Sequence, residues 1–82
     1  ILRSVPDDQL DAEVDAFVAQ LAGSATVALG LTKLCIHNSL VSGIGEAMQD
    51  EVFALELSSR TKDFREGFAA FRERRTPEFR GR

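Results

Sequence analysis

The stretch from 61 to 79, TKDFREGFAAFRERRTPEF, constrains this chain more than any other. Phe64, Phe68 and Phe71 recur at i, i+4 and i+7, which on an α-helix places three rings on one stripe. Gly67 lies beside that stripe and admits a close neighbour to its backbone. Asp63 and Glu66 have capping-box spacing, so Asp63 is expected to accept an orphan N–H while Glu66 reaches back. Arg72, Arg74 and Arg75 crowd the other end, where positive charge meets the negative pole of the helix dipole. Pro77 is expected to stop the helix, because the residue before proline is pushed out of the α region. The spacing therefore predicts an amphipathic helix over 63–75 with its phenyl stripe buried.

Three further apolar periodicities lie upstream. Pro6, Asp7 and Asp8 suit a helix start, since proline fits the first turn and acids favour the positive pole. Leu10, Val14, Phe17 and Leu21 then mark one stripe, with Asp11, Glu13, Asp15 and Gln20 off it, which predicts a surface helix over 7–22. Gly23 is the expected C′ residue, and Ser24 the expected cap of a second helix over 25–38. That helix is apolar nearly all round, the pattern of a helix buried on more than one side. Gly30 in its middle lowers helix propensity by roughly 1 kcal/mol relative to alanine, so a close neighbour is expected there. After a break rich in Asn, Ser and Gly at 38–43, Ile44, Met48, Val52 and Leu55 predict a third helix over 44–58. No strand alternation is sustained. The predicted fold class is all-α: three to four amphipathic helices in one unit over 1–82, after an extended lead-in at 1–5.

Eighty-two residues allow one small domain, and a chain of this size hides only about 60–65% of the surface its unfolded form exposes. Burial against a partner is therefore expected. With Ile1 in first place, the chain is expected to be a piece of a longer protein. No apolar run approaches the roughly 20 residues of a membrane span, and no signal-peptide pattern is visible, so no membrane partner is expected. Cys35 is the single cysteine, which excludes an internal disulfide and a multi-cysteine zinc site and fits a reducing, cytoplasmic compartment.

Charge is unevenly spread. Up to Ser59 two basic residues face nine acidic ones, a net of −7; from Arg60 onward eight basic face four acidic, a net of +4. A basic tail on an acidic body suits an anionic ligand or an acidic neighbouring surface, and equally a solvated helix laced with i, i+4 ion pairs. Nucleic acid is not an expected partner, because the arginines after Arg72 lack aromatic or amide readers beside them.

Few other residues suggest chemistry. Lys33 is the one charge in the apolar second helix, and two readings stand for it: a lysine whose stem lies on apolar surface while its head reaches water, or a contact to an anionic group. His37 and Cys35 sit i, i+2 and point to different sides, so they do not chelate one metal together. Glu51 and Glu56, five apart, lie on separated faces and are expected to pair with basic residues of the last helix rather than to move protons.

The run Asp63-x-x-Glu66-Gly67-x-x-Ala70-Phe71-x-Glu73-Arg74-Arg75-x-Pro77-x-Phe79 closely resembles the C-terminal signature of the enoyl-CoA hydratase/isomerase, or crotonase, superfamily, often D-x-x-EG-x-x-AF-x-EKR-x-P-x-F. Arg74 here takes the place of the usual lysine. Residues 1–6 look like the family's segment after its GLV strand, and the helices carrying Lys33 and Glu51 fall in family order.

The resemblance implies that these residues are the helical C-terminal region of a much longer acyl-CoA enzyme, a hydratase or isomerase of fatty-acid metabolism. The N-terminal spiral domain of such enzymes carries the oxyanion hole and the acidic proton-transfer groups, so no catalytic residue and no metal are expected in this chain. Coenzyme A thioester is implied as the parent's substrate, with no separate cofactor. The region is implied to cover the CoA site and to build a homo-oligomer, a trimer or hexamer. In some members the residues matching Phe71 and Arg74 approach the adenine and 3′-phosphate of CoA, and a lysine often recurs where Lys33 stands. Phe71 as core and Arg74 as a solvated helix-end charge remain the competing readings, and Arg75 with Pro77 and Phe79 is expected to anchor the tail against the rest of the fold. The alternative for the whole chain is a stand-alone helical oligomerisation module without enzymatic role.

Overall fold

The computed structural model describes residues 1–82: four α-helices and no strand. A short 3₁₀ turn at Asp7–Gln9 leads into α1 (Leu10–Ala22), followed by α2 (Thr26–Ser39), α3 (Ile44–Ser59) and α4 (Lys62–Glu73). The acids after Pro6 thus open a 3₁₀ turn rather than the α-helix itself, with the Gln9 N–H donating to the Pro6 carbonyl at 3.0 Å. The lead-in at 1–6 has no regular structure and is tied to α1 by an ion pair between Arg3 and Glu13.

Several helix ends differ from the expected chemistry. Ser24 does not cap α2; its hydroxyl donates back to the Gln20 carbonyl at 2.7 Å, and Ala25 holds the cap position with no side-chain bond. Gly23 closes α1 with φ −82°, so its left-handed freedom goes unused. At α3 the Glu46 carboxylate accepts the Gly43 N–H at 3.2 Å, which is half a capping box supplied where glycine has no oxygen to complete it.

The helices α2 and α3 form an antiparallel hairpin around the 40–43 turn. Asn38 donates to Asp50 across it at 2.7 Å, and Leu31, Cys35 and Ala54 line the same clefts along its length. α4 packs on the end of this hairpin near Ala25, Ala28 and Ser58, while α1 turns away from α2 at 102°. No single helix is long and apolar enough to cross a membrane.

The molecule is open. Its radius of gyration is 15.9 Å, against about 12 Å for a compact domain of this length. It exposes 7034 Å², where a compact 9.0 kDa protein exposes about 4,850 Å². Only Ala70 and Asp63 are buried, and large apolar residues on every helix face outward. The apolar second helix does not find its second cover inside this chain. A Cβ on Gly30 would meet nothing within 4 Å, so the neighbour expected there is not supplied by these residues.

Candidate functional site

The densest chemistry lies where the C-terminal residues fold back on α4. Thr61, not Asp63, caps this helix: its hydroxyl oxygen accepts the Phe64 N–H at 3.1 Å and donates to the Ser58 carbonyl at 2.7 Å. The Arg82 carbonyl accepts the next two orphan donors, Lys62 N–H at 2.8 Å and Asp63 N–H at 3.0 Å. Asp63 is thereby released for another task. The residue is 3% exposed, and its carboxylate accepts the Arg80 N–H at 2.8 Å and the Gly81 N–H at 2.7 Å. Glu66 does not reach back to the cap either. It accepts the Glu78 N–H at 2.8 Å and grips the Arg75 guanidinium at 2.5 and 2.9 Å.

The two carboxylates therefore belong to one latch that holds 75–82 along the helix. Asp63, Gly67 and Ala70 form an i, i+4, i+7 stripe of short or acidic side chains, and this is the buried face of α4. The Phe79 ring lies over Gly67, where a Cβ would sit 3.7 Å from it. The phenylalanine stripe, expected inside, is the open one: Phe68 is 65% and Phe71 85% exposed. Phe64 and Phe68 pack tilted on each other with centroids 4.9 Å apart.

The helix also ends earlier than the proline implies. Arg74 adopts the left-handed conformation at φ 55°, ψ 41°, with its N–H on the Phe71 carbonyl at 3.3 Å and the Arg75 N–H on the Ala70 carbonyl at 3.0 Å. These two bonds are a Schellman closure, usually built on glycine. Pro77 comes three residues later and only continues the extended return.

Electrostatics follow from the latch. The bidentate hydrogen bonds from Arg75, helped by the Glu78 N–H, hold the Glu66 carboxyl down at about 2, well below its ordinary 4.5. The same contact, with a 2.7 Å bond from Arg75 Nε to Glu73, pushes the Arg75 guanidinium further up. Neither Glu51 nor Glu56 pairs with α4; Glu56 pairs with Arg60 at 2.5 Å, and Glu51 makes no ion pair.

Two depressions flank α4. One is an apolar groove of about 360 Å³ lined by Phe64, Phe68, Phe71 and Phe79, with Ala25, at the cap of α2, and Ala28 as its far wall. Its polar groups include Thr61 and Asp63, both already occupied by the bonds above, so the groove offers ring and methyl contact rather than proton transfer. The other is a polar trough carrying Lys62, Arg65, Arg75, Arg80 and Arg82 beside Asp63, Glu66 and Glu78.

The structure thus puts Phe71 on the groove rim and Arg74, exposed, at the end of the same helix. Lys33 stands exposed on α2 and lines neither depression. No three His, Cys, Asp or Glu side chains converge as metal ligands. Arg75 and Phe79, expected as anchors of the tail, rest on Glu66 and over Gly67; sequence reasoning missed Asp63 and Glu66 as the groups that receive the tail. The signal was the short-residue stripe beside the phenyl stripe, which marks where another chain segment can lie close.

Comparison with known proteins follows the same outline. No family model matches the chain. It is 30% identical over all 82 residues to 1,2-epoxyphenylacetyl-CoA isomerase of Escherichia coli K12, and spans 31% of that protein. Its fold superposes on an enoyl-CoA hydratase crystal structure from Geobacillus kaustophilus with a TM-score of 0.87 and 31% identity, covering 94% of this chain and 29% of that one. An enoyl-CoA hydratase from Bacillus anthracis gives 0.85 and 32%, covering 95% and 30%. The match falls at the C-terminal end of the longer chains.

Proposed function

We propose, for a chain that matches the C-terminal helical region of enoyl-CoA hydratase/isomerase superfamily proteins in sequence and fold, that it serves as that region of an acyl-CoA enzyme. It covers the CoA site, contributes to subunit contacts in a homo-oligomer, and takes its catalytic groups from residues outside these 82. Coenzyme A thioester is the substrate of the whole, in a cytoplasmic enzyme of fatty-acid metabolism. Phe71 offers a stacking face to the adenine, Arg74 a guanidinium to the 3′-phosphate, and Lys33 a further cation.

The observation that carries this reading is the excess of exposed surface. The chain shows roughly 2,200 Å² more than a compact protein of its mass, while a standard interface hides about 800 Å² per partner. Such an excess fits a core cut open better than a module with one docking face. Matching relatives through only 29–31% of their length supports the same conclusion.

The test is an assay of crotonyl-CoA hydration by the purified 82-residue chain, together with an intact-mass measurement of the native protein. No turnover by the short chain, and a native mass several-fold larger, are expected. A native protein of this length that is folded, oligomeric and without affinity for coenzyme A would instead establish a stand-alone interaction module.

A further inference from the structure

Two adjacent arginines at the end of α4 are in opposite states. Arg75 donates from Nη1 and Nη2 to Glu66 and from Nε to Glu73, so its charge is spent inside the chain. Arg74 makes no ion pair and no side-chain hydrogen bond within the chain, yet its backbone is left-handed, a conformation disfavoured for any residue with a Cβ. What keeps it there is fixed on both sides. Glu73 belongs to the helix, and Arg75 is pinned through its N–H to Ala70 and through its guanidinium to Glu66. Glu66 in turn holds the returning segment at Glu78, so the turn at Arg74 cannot unwind without releasing the tail.

The geometry points to Glu66 and Arg75 as positioning residues: their ion pair holds Arg74 in the left-handed turn and so presents its unpaired guanidinium to a phosphate monoester. The pair itself touches no ligand. This rests on the ligand role given above to Arg74, the phosphate being the 3′-phosphate of coenzyme A. The division of labour is chemical. A guanidinium already bidentate on one carboxylate and bonded to a second has few donors left for a phosphate, whereas its free neighbour keeps all five. The bidentate contact with Glu66 uses the planar fork of Arg75, which a lysine point charge would not supply.

The experiment measures, in the full-length parent enzyme, the affinity for coenzyme A against 3′-dephospho-coenzyme A. The ratio isolates the phosphate contact and is insensitive to a general loss of stability. Arg74→Ala is expected to lower the ratio about tenfold, the scale of one charge-assisted contact. Glu66→Gln is expected to lower it nearly as far, Arg75→Lys by an intermediate amount, and the Glu66→Gln, Arg74→Ala double variant no further than Arg74→Ala alone. A ratio lowered by Arg74→Ala and unchanged by both Glu66→Gln and Arg75→Lys would overturn the positioning role and leave the ligand role of Arg74 intact. A ratio unmoved by Arg74→Ala would overturn both. If Glu66→Gln does not fold, Arg75→Lys carries the same comparison.

Discussion

Asp63 and Gly81 are joined across eighteen residues: the Gly81 N–H donates to the Asp63 carboxylate at 2.7 Å, next to the Arg80 N–H at 2.8 Å. A buried carboxylate with two backbone donors is satisfied as an anion and accepts no substitute of equal shape. Asparagine in its place keeps one acceptor and turns an NH₂ group toward an N–H. Asp63→Asn is therefore expected to destabilise the protein by about 1–3 kcal/mol, read from its urea midpoint, with faster amide exchange at 80 and 81. An unchanged midpoint would show the tail to be dispensable.

Gly81 itself is under two constraints. Its φ is +70°, and a Cβ built on it would lie 2.6 Å from the Thr26 hydroxyl oxygen. Gly81→Ala is expected to destabilise through both the backbone and the clash. Adding Thr26→Ala removes the clashing oxygen, so the double variant should regain the steric part and retain only the left-handed penalty of about 1–2 kcal/mol. Additive losses in the two single variants would sink this account.

The Glu66 clamp predicts a definite pH window. Its carboxyl titrates at about 2 in the folded chain against an ordinary 4.5, so the unfolded state binds the proton first as pH falls. The stability that ionised Glu66 contributes is present above 4.5 and is lost progressively as pH drops toward 2. The stability gap between the wild type and Glu66→Gln is expected to be constant above pH 5 and to close between pH 4.5 and 2. A gap independent of pH across that window would remove Glu66 from the latch.

Arg74 offers a separation of stability from binding. Glycine adopts its φ of 55° without the Cβ penalty. Arg74→Gly is expected to be more stable than Arg74→Ala by about 1 kcal/mol in thermal or urea unfolding, while both lose the cation equally. Equal stability of the two would mean that the turn is not strained.

The isolated 82 residues are expected to associate. Outward-facing Ile44, Met48, Val52 and Phe53 on α3, with Leu34 and Ile36 on α2, leave far more exposed apolar surface than a monomer keeps in water. Sedimentation at micromolar concentration should show assemblies; a single well-folded monomeric boundary would contradict it.

The helices were legible because their apolar spacing is local. Val14 to Leu21 and Met48 to Leu55 announce themselves within two turns, and the signature at the end is legible letter by letter. That Arg75 and Phe79 anchor the tail was legible; what could not be seen was which residues receive it. Asp63 and Glu66 have a spacing that fits a local cap, and only the arrival of Arg80, Gly81, Arg75 and Glu78 from a distance redirects them. Thr61, a good cap residue two places earlier, competes successfully for the helix end. The phenyl stripe was misjudged for a related reason: amphipathicity locates an apolar face but does not say which molecule covers it. Phe68 and Phe71 are bare because no other residue of this chain covers them. The left-handed turn at Arg74 left no trace in the sequence, since the residue type that marks such a turn is absent.

The principal extents are 45 × 38 × 19 Å, and the shortest is less than two helix diameters. A slab so thin has no inside of its own. Nearly every side chain looks out through one broad face or the other, so a substitution in α2 or α3 reports on whatever leans against the slab as much as on the slab. Mutational scans of these residues will therefore map their surroundings, and a tolerant position will mark the places where nothing leans.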